Sequence, residues 1–163
     1  MPYRFPFFWE EIAELDSVGG LAGVQAHYRR AGERFGLRPV PPEARIVAVA
    51  RLFSREGRYA DVRALARSYR TDYPSAAEQI VNGAGYDLLR RGDVKGAVET
   101  FRENAGAFPE SPNVHASLAD GLCRANDPAA ALESVRRAVS VAERRQHPRL
   151  ERYRARVAAP CPR

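Results

Sequence analysis

The stretch Val81-Asn82-Gly83-Ala84-Gly85-Tyr86-Asp87-Leu88-Leu89 decides the fold. Its apolar positions at 81, 84 and 88, with small residues at 83 and 85, are the pattern of a helix pressed closely on a neighbour. Arg91-Gly92-Asp93 stops that helix, Gly92 being suited to the left-handed position beyond a helix end. A second helix starts near Val94, with Ala97, Val98, Phe101 and Ala105 on one face, and Pro109 closes it.

The pattern repeats. Shifted by 34 residues, Ala97 lands on Ala131, Phe101 on Val135, Leu88 on Leu122 and Ala84 on Leu118. Gly92 lands on Asn126, another residue that tolerates the left-handed conformation. Shifted back by 35, Gly92 lands on Gly57, Leu88 on Phe53, Ala84 on Val49, Val81 on Ile46 and Pro109 on Pro74. A helical pair of this length cannot bury its apolar face alone, so neighbouring pairs must stack. The spacing therefore predicts three stacked helix-turn-helix units.

A period of 34 carrying Gly85-x-x-Leu88, then Ala97-x-x-x-Phe101, then Pro109 resembles the tetratricopeptide repeat. The middle unit matches best. The third keeps Leu118, Leu122, Ala131 and Ala138 but has His115 where the family places a bulky Trp. The first has Val62 and Ala66 in place of the small-then-aromatic pair. The resemblance implies an all-α, right-handed α-solenoid that binds other proteins through its concave face.

The expected organisation has three parts. Residues 1–40 form an aromatic-rich segment and a helix over 17–36 that carries Leu21, Val24, Tyr28, Ala31 and Phe35 on one stripe. Residues 41–146 hold the three pairs, at about 43–75, 78–110 and 112–145. Residues 147–163 form a basic capping helix from about Pro148 to Val157, with Leu150, Tyr153 and Val157 turned inward, and a tail. Pro41-Pro42-Glu43 opens the first pair, and Asp127-Pro128 reads as an N-cap followed by the first helical residue.

A second resemblance runs through Ala26-His27-Tyr28, Phe35-Gly36, Pro41-Pro42-Glu43, Gly85-Tyr86-Asp87-Leu88-Leu89, Phe101-Arg102-Glu103-Asn104 and Pro109-Glu110-Ser111-Pro112-Asn113. It looks like the helical C-terminal region of bacterial predicted esterases, where such units follow an α/β-hydrolase domain behind an aromatic linker. The resemblance implies an accessory domain whose Phe5, Phe7, Phe8 and Trp9 dock on a hydrolase partner. This chain has no G-x-S-x-G elbow, so no hydrolytic nucleophile comes with the resemblance.

Catalysis finds little to stand on. His27, His115 and His147 lack a Ser, Cys or carboxylate at a diagnostic spacing, and each reads as structural. Glu10, Glu11 and Glu14 read as a solvated first helical turn. Gly83-x-Gly85 follows no strand, so it fails as a phosphate loop. The expectation is no enzyme, no cofactor and no metal. Cys123 reads as a packing residue and Cys161 as a loose tail thiol. Met1-Pro2-Tyr3-Arg4-Phe5-Pro6, with two prolines and acids after it, reads as no signal peptide, so a reducing, cytoplasmic home follows by default. No apolar run approaches the ~18 residues a membrane span requires.

Binding is the better case. In a tetratricopeptide array the first helix of each pair lines the groove, and the register then gives three ladders. These are Val47, Asn82 and Ala116; Arg51, Tyr86 and Asp120; and Arg55, Arg90 and Arg124. Arg51, Arg55, Asn82, Tyr86, Arg90, Asp120 and Arg124 are therefore the candidate ligand-binding residues. Three guanidinium forks suit an acidic peptide or a chain-terminal carboxylate. Each Arg of the third ladder also sits near a helix C-terminus, where a cation meets the negative end of the dipole.

The charge sharpens this. The chain holds 26 Lys+Arg against 20 Asp+Glu, a net +6 with a pI near 9.8. Arg outnumbers Lys 25 to 1 beside 27 Ala, a skew that reads as a GC-rich bacterial genome. Residues 1–143 carry 19 basic and 19 acidic side chains; residues 144–163 carry seven Arg against Glu151, which is 7 − 1 = +6. The excess lies wholly at the C-terminal end, where a capping helix presents a polar outer face. Nucleic acid is the least favoured partner, because Tyr153 alone accompanies those arginines as a stacking platform.

Overall fold

The computed structural model describes residues 41–161 together with Ala26, Arg30 and Arg34. The protein is all-α. Residues 41–161 form seven helices: α1 (Glu43–Arg55), α2 (Tyr59–Tyr69), α3 (Pro74–Arg90), α4 (Val94–Ala107), α5 (Pro112–Arg124), α6 (Pro128–Arg144) and α7 (Leu150–Ala158). Ala26, Arg30 and Arg34 are helical, within the stretch where the sequence predicts a helix. The stripe residues of that stretch, His27, and Phe5, Phe7, Phe8 and Trp9 lie outside the described residues.

The turns explain why these helices stop where they do. Gly57, Gly92, Asn126 and Gln146 all take positive φ, at 75°, 84°, 59° and 48°. Each is followed by the same pair of backbone bonds. The Gly57, Gly92, Asn126 and Gln146 N–H groups donate to the carbonyls three residues back, at 3.1 Å in every case. The next residue reaches five back: Arg58 to Phe53, Asp93 to Leu88, Asp127 to Leu122 and His147 to Ala142, at 2.8–3.0 Å. This double closure satisfies carbonyls that a helix end otherwise leaves bare. The four receiving residues, Phe53, Leu88, Leu122 and Ala142, are all buried, so each stop is pinned to the core.

Helix starts repeat as well. The Asp93 carboxylate accepts from Gly96 N–H at 2.9 Å, and Asp127, 34 residues on, accepts from Ala130 N–H at 3.0 Å. Pro112 and Pro128 occupy the first helical turn, where a missing N–H costs nothing. Pro74 likewise opens α3, so that helix begins about one turn before the expected residue 78.

The chain divides into two compact units, Met1–Ala76 and Ala77–Arg163. In the first, α1 and α2 pair through Ile46, Val49, Ala50 and Phe53 against Val62, Leu65 and Ala66. The Arg58 guanidinium lies 4.2 Å above the Phe53 ring and bonds Asp61 at 2.8 Å, closing the turn between the two helices.

In the second unit α3 and α4 run antiparallel. Tyr86 meets Phe101 edge-on at 5.1 Å between ring centroids, and the Asn104 amide donates to the Glu78 carbonyl at 3.1 Å. Phe101 is wholly buried. Its ring lies against Gly85 of α3 on one side and Gly121 of α5 on the other, so closely that a Cβ at either position would collide with it. Of the two small residues singled out at 83 and 85, only Gly85 mediates close packing. Gly83 is exposed, and a Cβ there would meet nothing within 4 Å.

Elements one period apart touch directly. Asn113 of α5 donates to Glu78 of α3 at 3.2 Å across 35 residues, and Arg144 of α6 donates to Glu110 in the α4–α5 turn at 3.2 Å across 34. The end of the unit is closed by α7, as the capping expectation has it. Tyr153 is buried against Ala116, Ala138 and Ala142, while Val157 packs on the Val98, Ala119, Leu122, Ala131 and Val135 cluster.

One expectation is overturned. Cys123 and Cys161 are not separate thiols; they form a disulfide with Cα atoms 5.3 Å apart, within the usual range. The physical reason is register. Cys123 closes the last turn of α5, and Cys161 sits three residues past α7, which runs alongside α5 and brings the tail back to that turn.

Candidate functional site

Three helices of the second unit contribute to one polar rung. Tyr86 of α3 donates its phenol proton to Asp120 of α5 at 2.6 Å and lies 3.2 Å from Ser117 Oγ. Asp120 accepts a second time, from Arg156 Nη2 of α7 at 2.7 Å. Arg156 also donates to the Ala116 carbonyl at 3.3 Å and the Pro160 carbonyl at 3.1 Å. The two charged side chains are only 20% and 33% exposed, which makes this the most sheltered ion pair among those described in the second unit.

The electrostatics follow from this enclosure. Burial, and then the neighbouring Asp120 carboxylate, push the Tyr86 phenol up to about 12, because a phenolate there would lose water and face a negative charge. Tyr86 is therefore a hydrogen-bond donor at neutral pH, not a base. The Tyr153 phenol is raised too, again by burial first.

Two polar atoms in this region are left without partners. Asn82 Oδ1 and Arg156 Nε are both buried and make no hydrogen bond. Asn82 lies one helical turn before Tyr86 on α3, so it shares that helix's face. An orphaned buried acceptor is costly, so the fold leaves this polar face incompletely satisfied.

The candidate residues fall out unequally. Tyr86 and Asp120, put on one ladder by the 34-residue register, are in contact. Asn82 stands half-buried beside them. Arg90 is exposed and paired with Asp87 of its own helix. Arg124 is exposed in the last turn of α5, and Arg51 and Arg55 are exposed on α1 of the first unit. Arg55, Arg90 and Arg124 each occupy a helix's last turn, where the backbone dipole alone favours a cation.

Sequence reasoning missed Ser117 and Arg156. Ser117 was findable, one turn before Asp120 on the same face. Arg156 was counted with the solvated outer face of the capping helix; instead it turns inward, one period and two residues beyond Asp120. The other arginines of that end are partly spoken for. Arg144 pairs with Glu110, and Arg154 with both Glu143 and Glu151, which holds its guanidinium above the usual range.

The two described histidines make contacts within the fold. His115 is buried and donates from Nε2 to the Pro109 carbonyl at 2.9 Å. His147 Nδ1 accepts from the Arg149 N–H at 3.1 Å, and its ring leans on Tyr153. Among the described residues no three His, Cys, Asp or Glu side chains gather as a cation site. Nor is any helix among them long and apolar enough to cross a membrane.

No protein-family model, curated protein or solved structure matches this chain. Its internal register and its geometry are what speak for it.

Proposed function

We propose that the chain is a non-catalytic, tetratricopeptide-like module that binds a protein or peptide along the face carried by the first helix of each pair. The observation that carries this reading is Asn82. Its side-chain oxygen is buried without a partner on a half-buried polar face, beside a phenol that the fold keeps protonated. A carboxamide so placed suits the N–H of an extended peptide backbone. Arg124, exposed at the end of α5 in the same unit as Asn82, supports an acidic sequence as the ligand.

The nucleic-acid alternative loses ground, because Arg144, Arg154 and Arg156 already face carboxylates within the fold. The hydrolase-accessory alternative depends on the aromatic segment at residues 5–9, beyond the described residues. For the compartment, the cytoplasm is the expectation only by default. The cystine supports an oxidising compartment, where such bonds persist.

Titration of fluorescently labelled acidic peptides tests the module reading. A peptide that binds the native chain and loses at least tenfold in affinity on Asn82→Leu supports it. Equal binding by both proteins, or no binding by any peptide in the set, overturns it.

A further inference from the structure

The C-terminal helix is poorly equipped to hold itself in place. α7 has nine residues and one buried side chain, Tyr153, and four of the other residues in Leu150-Glu151-Arg152-Tyr153-Arg154-Ala155-Arg156-Val157-Ala158 are charged. A helix of that length is marginal in water and depends on what it is packed against. It is held by Tyr153 in its alanine-lined seat, by Leu150 and Val157 at the edges of the two core clusters, by Arg156 on Asp120, by Arg154 on Glu143, and by the cystine between Cys123 and Cys161. The ion pairs are part exposed and the apolar contacts are few. The cystine is covalent, and it joins the tail beyond α7 to the end of α5.

We propose that this cystine is a conditional latch, and that its reduction releases α7 together with Arg156 from the second unit. Both sulfurs belong to half-buried residues, so a small dithiol can reach them. A thiolate of the dithiol attacks one sulfur of the cystine and the S–S bond breaks, giving a mixed disulfide. The reductant's second thiol then displaces it and leaves as its own disulfide. Two electrons and two protons pass to Cys123 and Cys161, which become free thiols. Without the tether, the tail and α7 regain their chain entropy, and the ion pairs and few apolar contacts do not offset that gain.

The released state differs in two ways that can be read. The Val98, Ala119, Leu122, Ala131 and Val135 cluster loses the cover given by Val157 and Cys161. Asp120 loses its guanidinium and keeps only Tyr86 as a hydrogen-bonded partner.

Hydrogen exchange on the full chain, with and without dithiothreitol, tests this directly. The expected result is at least tenfold faster exchange of the 150–158 amides on reduction, with α3 and α4 unchanged. Cys161→Ser should reproduce the reduced pattern and no longer respond to dithiothreitol. Arg156→Gln in the oxidised protein should leave α7 protected, because the cystine still holds it. The proposal fails if α7 stays protected in the reduced native chain. It fails equally if reduction loosens α3 and α4 along with α7, since the bond would then staple the whole unit. Should Cys161→Ser not fold, the reduction experiment on the native chain still decides.

Discussion

Two junctions in the second unit have the same geometry and opposite construction. α3 meets α5, and α5 meets α7, each pair side by side one period apart. The first junction is built on an aromatic ring clasped between Gly85 and Gly121, with the Tyr86–Asp120 bond added at its edge. The second has no such ring; it relies on the Arg156–Asp120 pair, one buried tyrosine and a disulfide. An interior junction can bury apolar volume from both sides. A terminal one has solvent on its far side, so charge and a covalent tether stand in for volume.

The largest test of this contrast is Phe101→Ala. It empties the interior junction and should cost about 3–5 kcal/mol in denaturant unfolding. A loss below about 1 kcal/mol would mean that the ring is not what spaces the helices. Next comes Gly85→Ala, whose new methyl points into that ring and should destabilise by roughly 1–3 kcal/mol through overpacking. Gly121→Ala, with 2.9 Å to the nearest ring atom, should cost less, and a reversed order would show that the ring lies nearer α5 than α3.

At the terminal junction Arg156→Ala should cost about 1–2 kcal/mol, toward the low end because the pair is part exposed. Raising the salt concentration should shrink the difference between variant and native protein. An unchanged difference would place the effect in packing of the arginine stem instead.

The smallest effect concerns Tyr86→Phe, about 1 kcal/mol at neutral pH. Its signature is the alkaline limb. Burial first, then Asp120, push the folded phenol up to about 12, above the ordinary tyrosine value of about 10, so the folded state holds its proton longer than the unfolded chain does. Its contribution is present in full below pH 10 and is lost as pH rises toward 12. Tyr86→Phe should therefore flatten the fall in stability across that window, measured by urea unfolding at stepped pH. Tyr153, also raised, leaves a residual slope.

Much of the fold was legible because its determinants are local. Gly57, Gly92 and Asn126 announced their turns through residue type, and the register of 34 then placed Tyr86 beside Asp120. Gln146 makes the same turn with positive φ and was not legible, since glutamine carries no preference for that conformation. Arg156 and the cystine were missed for another reason. Both join α5 to a helix that keeps the period only loosely, at separations of 36 and 38 residues. A strict shift passes over them, and composition counts Arg156 with its solvated neighbours. Gly121 escaped likewise, because the residue that needs its missing side chain lies on another helix.

The clasped ring of Phe101 also works as a gauge. Two glycines leave no side chain to negotiate the gap between α3 and α5, so that gap is spanned edge to edge by one phenyl ring. Every reach measured across it, from Tyr86 to Asp120 and from Asn113 to Glu78, is calibrated by that span. Exchanging the ring for a branched aliphatic group of similar volume would alter the pitch between the helices. The polar partners would then fall out of reach of one another even if the core stayed full.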